Sequence, residues 1–222
     1  MSDETYWKEL KGKVNEAKAE NMVRACGVDA SMFSINRQTV IDTLGEDAFE
    51  VVKRVCLTAD RGGGVACVSG GVGSGKSLLL SACVLTCCRM MNVAKYRRMD
   101  DLMLEIKATF SGKFDDDSQK DVMSRVIGFP VLAIDNVFGD RYTGFEHRTL
   151  ASILDRRISN NKFTVISTSM TVTEFRREAG QFINERIGAS LGYIDLGRQS
   201  RRPNILTPVT KLYTEQGAER DG

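Results

Sequence analysis

A chain of 222 residues with 31 Lys plus Arg, 29 Asp plus Glu and 42% hydrophobic residues has the makings of one globular domain with a short appendage. A charged fraction of 27% excludes wholesale disorder, and a net charge of +2 gives no global argument for a nucleic-acid partner. The six cysteines hold no C-x-x-C pair and the only histidine is His147, so zinc is not expected and the thiols read as reduced; the acidic start has no apolar h-region and Leu78 to Cys88 is about half a membrane span, so a cytoplasmic address without a membrane is expected.

In chain order, Trp7, Leu10, Val14 and Ala17 recur at helical spacing, which predicts an amphipathic helix ending near Gly27. Such a helix either packs on the main domain or lays its apolar stripe in a partner's groove. Phe49, Val52, Val55 and Cys56 predict a second helix over Glu46 to Ala59, closed by Arg61-Gly62-Gly63-Gly64. The period then changes. Val65 to Val68 is a short apolar strand, Ser77 to Met90 a buried helix, Val93 to Arg97 a strand, and Asp101 to Phe110 a helix. Val131 to Ile134 is a buried strand, Phe145 to Ser159 a helix, Phe163 to Ser167 a strand, and Tyr193 to Leu196 a last short strand. This alternation implies an α/β fold, a parallel sheet with helices on both faces.

Gly70-Gly71-Val72-Gly73-Ser74-Gly75-Lys76-Ser77, followed by Leu78, fits G-x-x-x-x-G-K-[ST] between a predicted strand and a predicted helix. Glycines let backbone N–H groups turn inward around a phosphate, and the helix N-terminus adds partial positive charge. The Lys76 ammonium is placed to meet the β- and γ-phosphates of ATP (or the β-phosphate of ADP), and the Ser77 hydroxyl to join the shell of Mg²⁺. Four apolar residues ending in Asp135 fit a buried strand that delivers a carboxylate beside this loop, where it holds Mg²⁺ through water. The next residue is Asn136, which positions water but cannot accept its proton.

These residues resemble the DnaC/IstB-type AAA+ ATPases, a family of bacterial and phage replicative-helicase loaders and transposition helpers. The resemblance covers roughly residues 46 to 203 and leaves 1–45 as a helical, possible partner-binding region and 204–222 as a tail. Besides the P-loop it rests on Met99-Asp100-Asp101-Leu102-Met103 through Lys107-Ala108-Thr109-Phe110, Ile134-Asp135-Asn136, Ile153-Leu154-Asp155-Arg156-Arg157 and Asn184-Glu185-Arg186-Ile187. It implies an AAA+ P-loop NTPase fold. It also implies a first sensor at the strand end Thr168-Ser169, with Ser169 the choice, and a second sensor at Arg201. Family members commonly carry a trans-acting arginine four residues beyond the one matched by Arg186, but Ser190 stands there. Arg186 or Arg157 could stand in, each with a structural alternative in surface pairing with Asp155 or Glu185. Together, Asn136 and Ser190 suggest a slow or conditional ATPase.

Between 141 and 202 there are 11 Lys plus Arg against 6 Asp plus Glu, a modest basic surplus. Single-strand binding needs such a face with aromatic platforms, and the candidates are Phe110 with Lys113, and Tyr142 or Phe145 with Arg141. For Phe110 and Phe145 core packing is the competing assignment. No base-reading motif is present. The favoured expectation is an ATP-dependent loader or recruiter of a hexameric replicative DNA helicase that self-associates with nucleotide and grips single-stranded DNA. The alternatives are a transposition helper of the IstB type acting on duplex, a nucleotide-binding interaction module without turnover, and a small-molecule phosphotransferase. The acidic Asp115-Asp116-Asp117 run is wrong for the lid of the last.

Overall fold

The computed structural model describes residues 15–109, 119–139 and 143–201. Helix α1, described over 15–25, is followed by a 3₁₀ turn (Ala30–Met32), α2 (Arg37–Leu44) and α3 (Glu46–Arg61). Then come β1 (Gly64–Ser69), α4 (Lys76–Arg89), β2 (Ala94–Arg98), α5 (Met99–Ala108), α6 (Gln119–Gly128) and β3 (Val131–Asp135). The chain continues through α7 (Gly144–Ser159), β4 (Phe163–Thr168), α8 (Val172–Gly188) and β5 (Gly192–Asp195).

The five strands are parallel in the order β2-β3-β4-β1-β5. Every residue of β1, β3 and β4 is buried, as expected of strands covered on both faces. Alternation divides each strand between two core layers. Ala66 and Val68 join Leu79, Val84 and Val52 on the α3–α4 side, whereas Val65 and Cys67 join Leu102, Ile153 and Phe175 on the α5–α8 side. All the predicted strands and helices of this core are present, shifted by one or two residues at their ends.

Three helices were not expected. Helix α2 is short and buries only Val40 and Leu44, but a reciprocal Asn36–Thr39 capping box starts it. Helix α6 follows 110–118, outside the described residues. Helix α8 opens on a Thr171–Glu174 capping box and buries Phe175, Ala179, Ile183 and Ile187, yet Gly180 breaks it with φ +75°. Trp7, Leu10 and Val14 also lie outside the described residues. Beyond α1, Cys26, Val28, Ile35, Val40 and Leu44 are buried in the α3–α4 layer, so this stretch packs on the main core.

Arg157 is the largest fully buried side chain among the described residues. It points into the interior instead of pairing with Asp155 or Glu185 at the surface. Its guanidinium donates to the carbonyls of Val126, Ile127, Phe129 and Phe163 and to the Thr164 hydroxyl. The first three close the end of α6, where carbonyls lack helical partners and the dipole favours a cation. Arg157 is therefore structural and unable to act on a neighbouring subunit.

Candidate nucleotide site

The phosphate loop leaves the buried end of β1 and enters α4 at Lys76. Gly71 is required by close approach: a Cβ there would lie 2.8 Å from the Arg198 carbonyl oxygen. Gly75 is required by φ +99°, and a Cβ there would also displace the end of the Leu44 side chain, whose Cδ2 would lie at 2.3 Å. The segment after β5 runs beside this loop. Gly71 N–H donates to the Gly197 carbonyl at 2.9 Å, and Arg201 N–H to that of Gly73 at 2.9 Å.

A cavity of about 850 Å³ opens over the carboxyl ends of the strands, where ligands bind in open α/β sheets. Val72, Gly73, Gly75, Lys76, Ser77, Leu78, Asp135, Asn136, Ser169 and Arg201 all line it. Residues from the loop, β3, the end of β4 and the segment after β5, far apart in sequence, thus meet at one place. Lys76 is buried, and its ammonium donates to the Gly70 and Gly71 carbonyls at 2.8 Å each. The Arg201 guanidinium is turned to the Thr43 carbonyl at 2.6 Å. Val72 stands 73% exposed at the mouth.

Asp135 is the hub. Ser77 Oγ donates to its Oδ2 at 2.6 Å, the Tyr96 hydroxyl donates to the same oxygen, and Ser167 Oγ and the Asn136 N–H (3.0 Å) donate to Oδ1. Burial first, and then the Asp135 charge, push the Tyr96 phenol well above its usual range, so it stays a donor. A hydroxyl and a carboxylate oxygen this close form the hard-oxygen donor set that Mg²⁺ prefers, and both atoms face the cavity. The residues present fit the metal.

Asn136 has a left-handed backbone, φ +61°. Its N–H also donates to Ser167 Oγ at 3.0 Å, Val137 N–H donates to the Ser167 carbonyl at 2.7 Å, and Phe138 stacks on His147 and Phe175. Asn and Asp tolerate this conformation where longer residues do not. Asn136→Asp is accordingly expected to keep the fold and restore a proton acceptor, whereas Asn136→Glu is expected to lose about 1–2 kcal/mol, read from urea unfolding.

At the end of β4 Thr168 is fully buried, and Ser169 is the residue that faces the cavity. Ser190 lies at the other end of the sheet, where its Oγ accepts the Val65 N–H at 3.0 Å and fills the space beside Gly64. Arg186 pairs with Asp155 at 3.1 Å and covers the Phe182 ring at 4.9 Å, both partly exposed. Phe110, Lys113, Arg141 and Tyr142 lie outside the described residues. Phe145 is not an open platform: it packs on the α5–α8 layer with the Lys107 ammonium 5.6 Å from its ring centre.

Sequence reasoning missed Tyr96 and Ser167, which hold Asp135, and did not place Arg97 and Arg98 at the cavity they line. The signal lay in strand pairing, because parallel register sets Tyr96 opposite Ala133 and Arg98 opposite Asp135, on the same face of the sheet.

No protein-family model and no curated protein matches the chain. Among solved structures, a replication initiator DnaA bound to AMPPCP and single-stranded DNA superposes with TM-score 0.60 at 15% identity, over 85% of this chain and 58% of that one. DnaI gives 0.58 at 18% identity, over 75% and 93%. The DnaC helicase loader gives 0.52 at 17% identity, over 80% and 98%. The chain has the AAA+ fold. It spans about half the length of a DNA replication initiation factor and of the AMPPCP-bound DnaA from Aquifex aeolicus, 53% and 52%. No helix among the described residues is long and apolar enough to cross a membrane.

Proposed function

We propose that this AAA+ chain binds ATP with Mg²⁺ and acts in DNA replication, loading or recruiting a replicative helicase onto single-stranded DNA. The observation that carries the nucleotide reading is the meeting of Ser77 and Asp135 at 2.6 Å beside the buried Lys76. The choice of a loader draws on the fold's likeness to DnaC and DnaI, whose solved structures it matches over nearly their whole length. A DnaA of the same fold is solved with an ATP analogue and single-stranded DNA.

Within this reading the loop amides and Lys76 hold the phosphates. Ser77 and Asp135 hold Mg²⁺, which when bound neutralises charge on the phosphate oxygens. Tyr96 and Ser167 donate to the two Asp135 oxygens and keep the carboxylate oriented toward the position where Mg²⁺ would sit. Asn136 and Ser169 orient the water. With no carboxylate at position 136 and no arginine at 190, hydrolysis is slow or waits for a partner, and bound nucleotide serves as a state signal.

Fluorescence anisotropy with labelled oligonucleotides tests the DNA part. With ATPγS the protein is expected to bind single strands more tightly than duplex and to lose this binding in the Lys76→Ala variant. Preference for duplex, with growth into filaments or large rings, would favour the transposition helper.

A further inference from the structure

Two arginines at the carboxyl end of β2 are used by nothing described above. Arg97 and Arg98 both line the cavity that holds Lys76, Ser77 and Asp135. Register pairs Arg98 with Asp135, and in a parallel pair opposite residues share a face. Tyr96, two residues earlier on that face, already reaches Asp135 with its hydroxyl. Arg98 therefore stands one pleat nearer the mouth, beyond the Ser77–Asp135 pair.

Neither guanidinium makes a hydrogen bond or ion pair with another described residue, and Arg97 Nε is buried without an acceptor. The other cations of the cavity are committed: Lys76 to two loop carbonyls and Arg201 to the Thr43 carbonyl. Asp101, in the first turn of α5, also lines the cavity without pairing with either arginine. The unsatisfied N–H of Arg97 is one unmet donor beside the cavity, and the Arg98 guanidinium, exposed at the strand end, is a second group there with no hydrogen-bond or ion-pair partner among the described residues; both leave room for an anion.

We propose that Arg97 and Arg98 read the terminal phosphate of the bound nucleoside triphosphate from within the same chain, with Arg98 making the contact. The inference rests on the nucleotide site proposed above. Loop amides and Lys76 address the β-phosphate, which ATP and ADP share. The γ-phosphate alone extends past Ser77 toward Asp135 and the end of β2, where a planar guanidinium forks two oxygens. A cation supplied in cis takes the place of the arginine that Ser190 lacks, so triphosphate is distinguished from diphosphate before any neighbour arrives.

The test is titration of fluorescent ATPγS and ADP with Mg²⁺ against four forms: the natural protein, Arg97→Gln/Arg98→Gln, Arg98→Lys and Lys76→Ala. The double variant is expected to lose about 10- to 100-fold in ATPγS affinity, the worth of a charge-assisted hydrogen bond, with ADP affinity within about twofold. Arg98→Lys, which keeps charge but not the fork, is expected to fall between. An unchanged ATPγS-to-ADP ratio in the double variant would overturn the proposal, and so would equal loss of both, since a terminal-phosphate contact cannot weaken ADP. Lys76→Ala separates the two readings: loss of both nucleotides keeps the site while the arginines are judged, and unchanged binding overturns site and proposal together. A single-strand DNA titration of the double variant at saturating ATPγS is expected to match the natural protein. Loss of DNA binding with an unchanged nucleotide ratio would assign the arginines to the DNA backbone and overturn the proposal.

Discussion

Lys76→Ala is expected to abolish binding of ATP and ADP and every step that depends on it. The ammonium sits inside the turn of the phosphate loop, buried, and donates to two carbonyls of the loop itself at 2.8 Å. These hold the cation where phosphate oxygens, far better acceptors, will meet it. Two charge-assisted hydrogen bonds at about 1.5–3 kcal/mol each correspond to roughly 10²- to 10⁴-fold in affinity. Stability responds differently. The ammonium lines a polar cavity of about 850 Å³, so water can take its place at the loop carbonyls, and the melting temperature should move by only a few degrees, about 2–4 °C per kcal/mol for a chain of this size. Isothermal titration beside thermal melting checks both halves, and unchanged ATP affinity would refute the assignment of the phosphate site.

The largest stability effect is expected from Arg157→Met. Methionine keeps bulk but removes every donor, leaving the carbonyls of Val126, Phe129 and Phe163 in an interior where water cannot replace the guanidinium. A buried acceptor left without its donor typically costs about 1–3 kcal/mol, so three carbonyls together are expected to cost at least about 3 kcal/mol, which for a chain of this length lowers the melting temperature by about 6 °C or more. Burial lowers the Arg157 pKa to about 9, still above neutral pH, so the group enters the core charged. The contacts tie the end of α6 to the start of β4, the strand that carries Ser167 and leads into Ser169. A loss below about 1 kcal/mol by urea unfolding would show that these bonds are dispensable.

What the sequence made legible follows from how local each signal is. The phosphate loop and the strand ending in Asp135 are contiguous patterns: an apolar run, a glycine turn, a charged end. The four-residue spacing of α8 and its Thr171–Glu174 box were equally local, but Gly180 divides the pattern. Tyr96 and Ser167 could not be found this way. They reach Asp135 across 39 and 32 positions of chain, through a register that exists only once β2, β3 and β4 pair. Arg157 misled for the opposite reason. An arginine within Leu-Asp-Arg-Arg on an amphipathic helix is usually solvated, and its interior place is set by the uncapped end of α6, which the sequence of α7 does not contain. Ser190, read as the absence of an arginine, has a positive task in accepting the first amide of β1 beyond Gly64.

Engagement of a replicative helicase by the nucleotide-bound protein is the step on which the proposed loader function stands. It is tested most directly by recovering tagged protein from its native host's lysate with and without ATPγS, using Lys76→Ala as the control, and identifying the bound proteins by mass spectrometry. The expected capture is a hexameric replicative helicase that depends on ATPγS and is missing with Lys76→Ala. Recovery of a transposase, or of no protein in either condition, would contradict it.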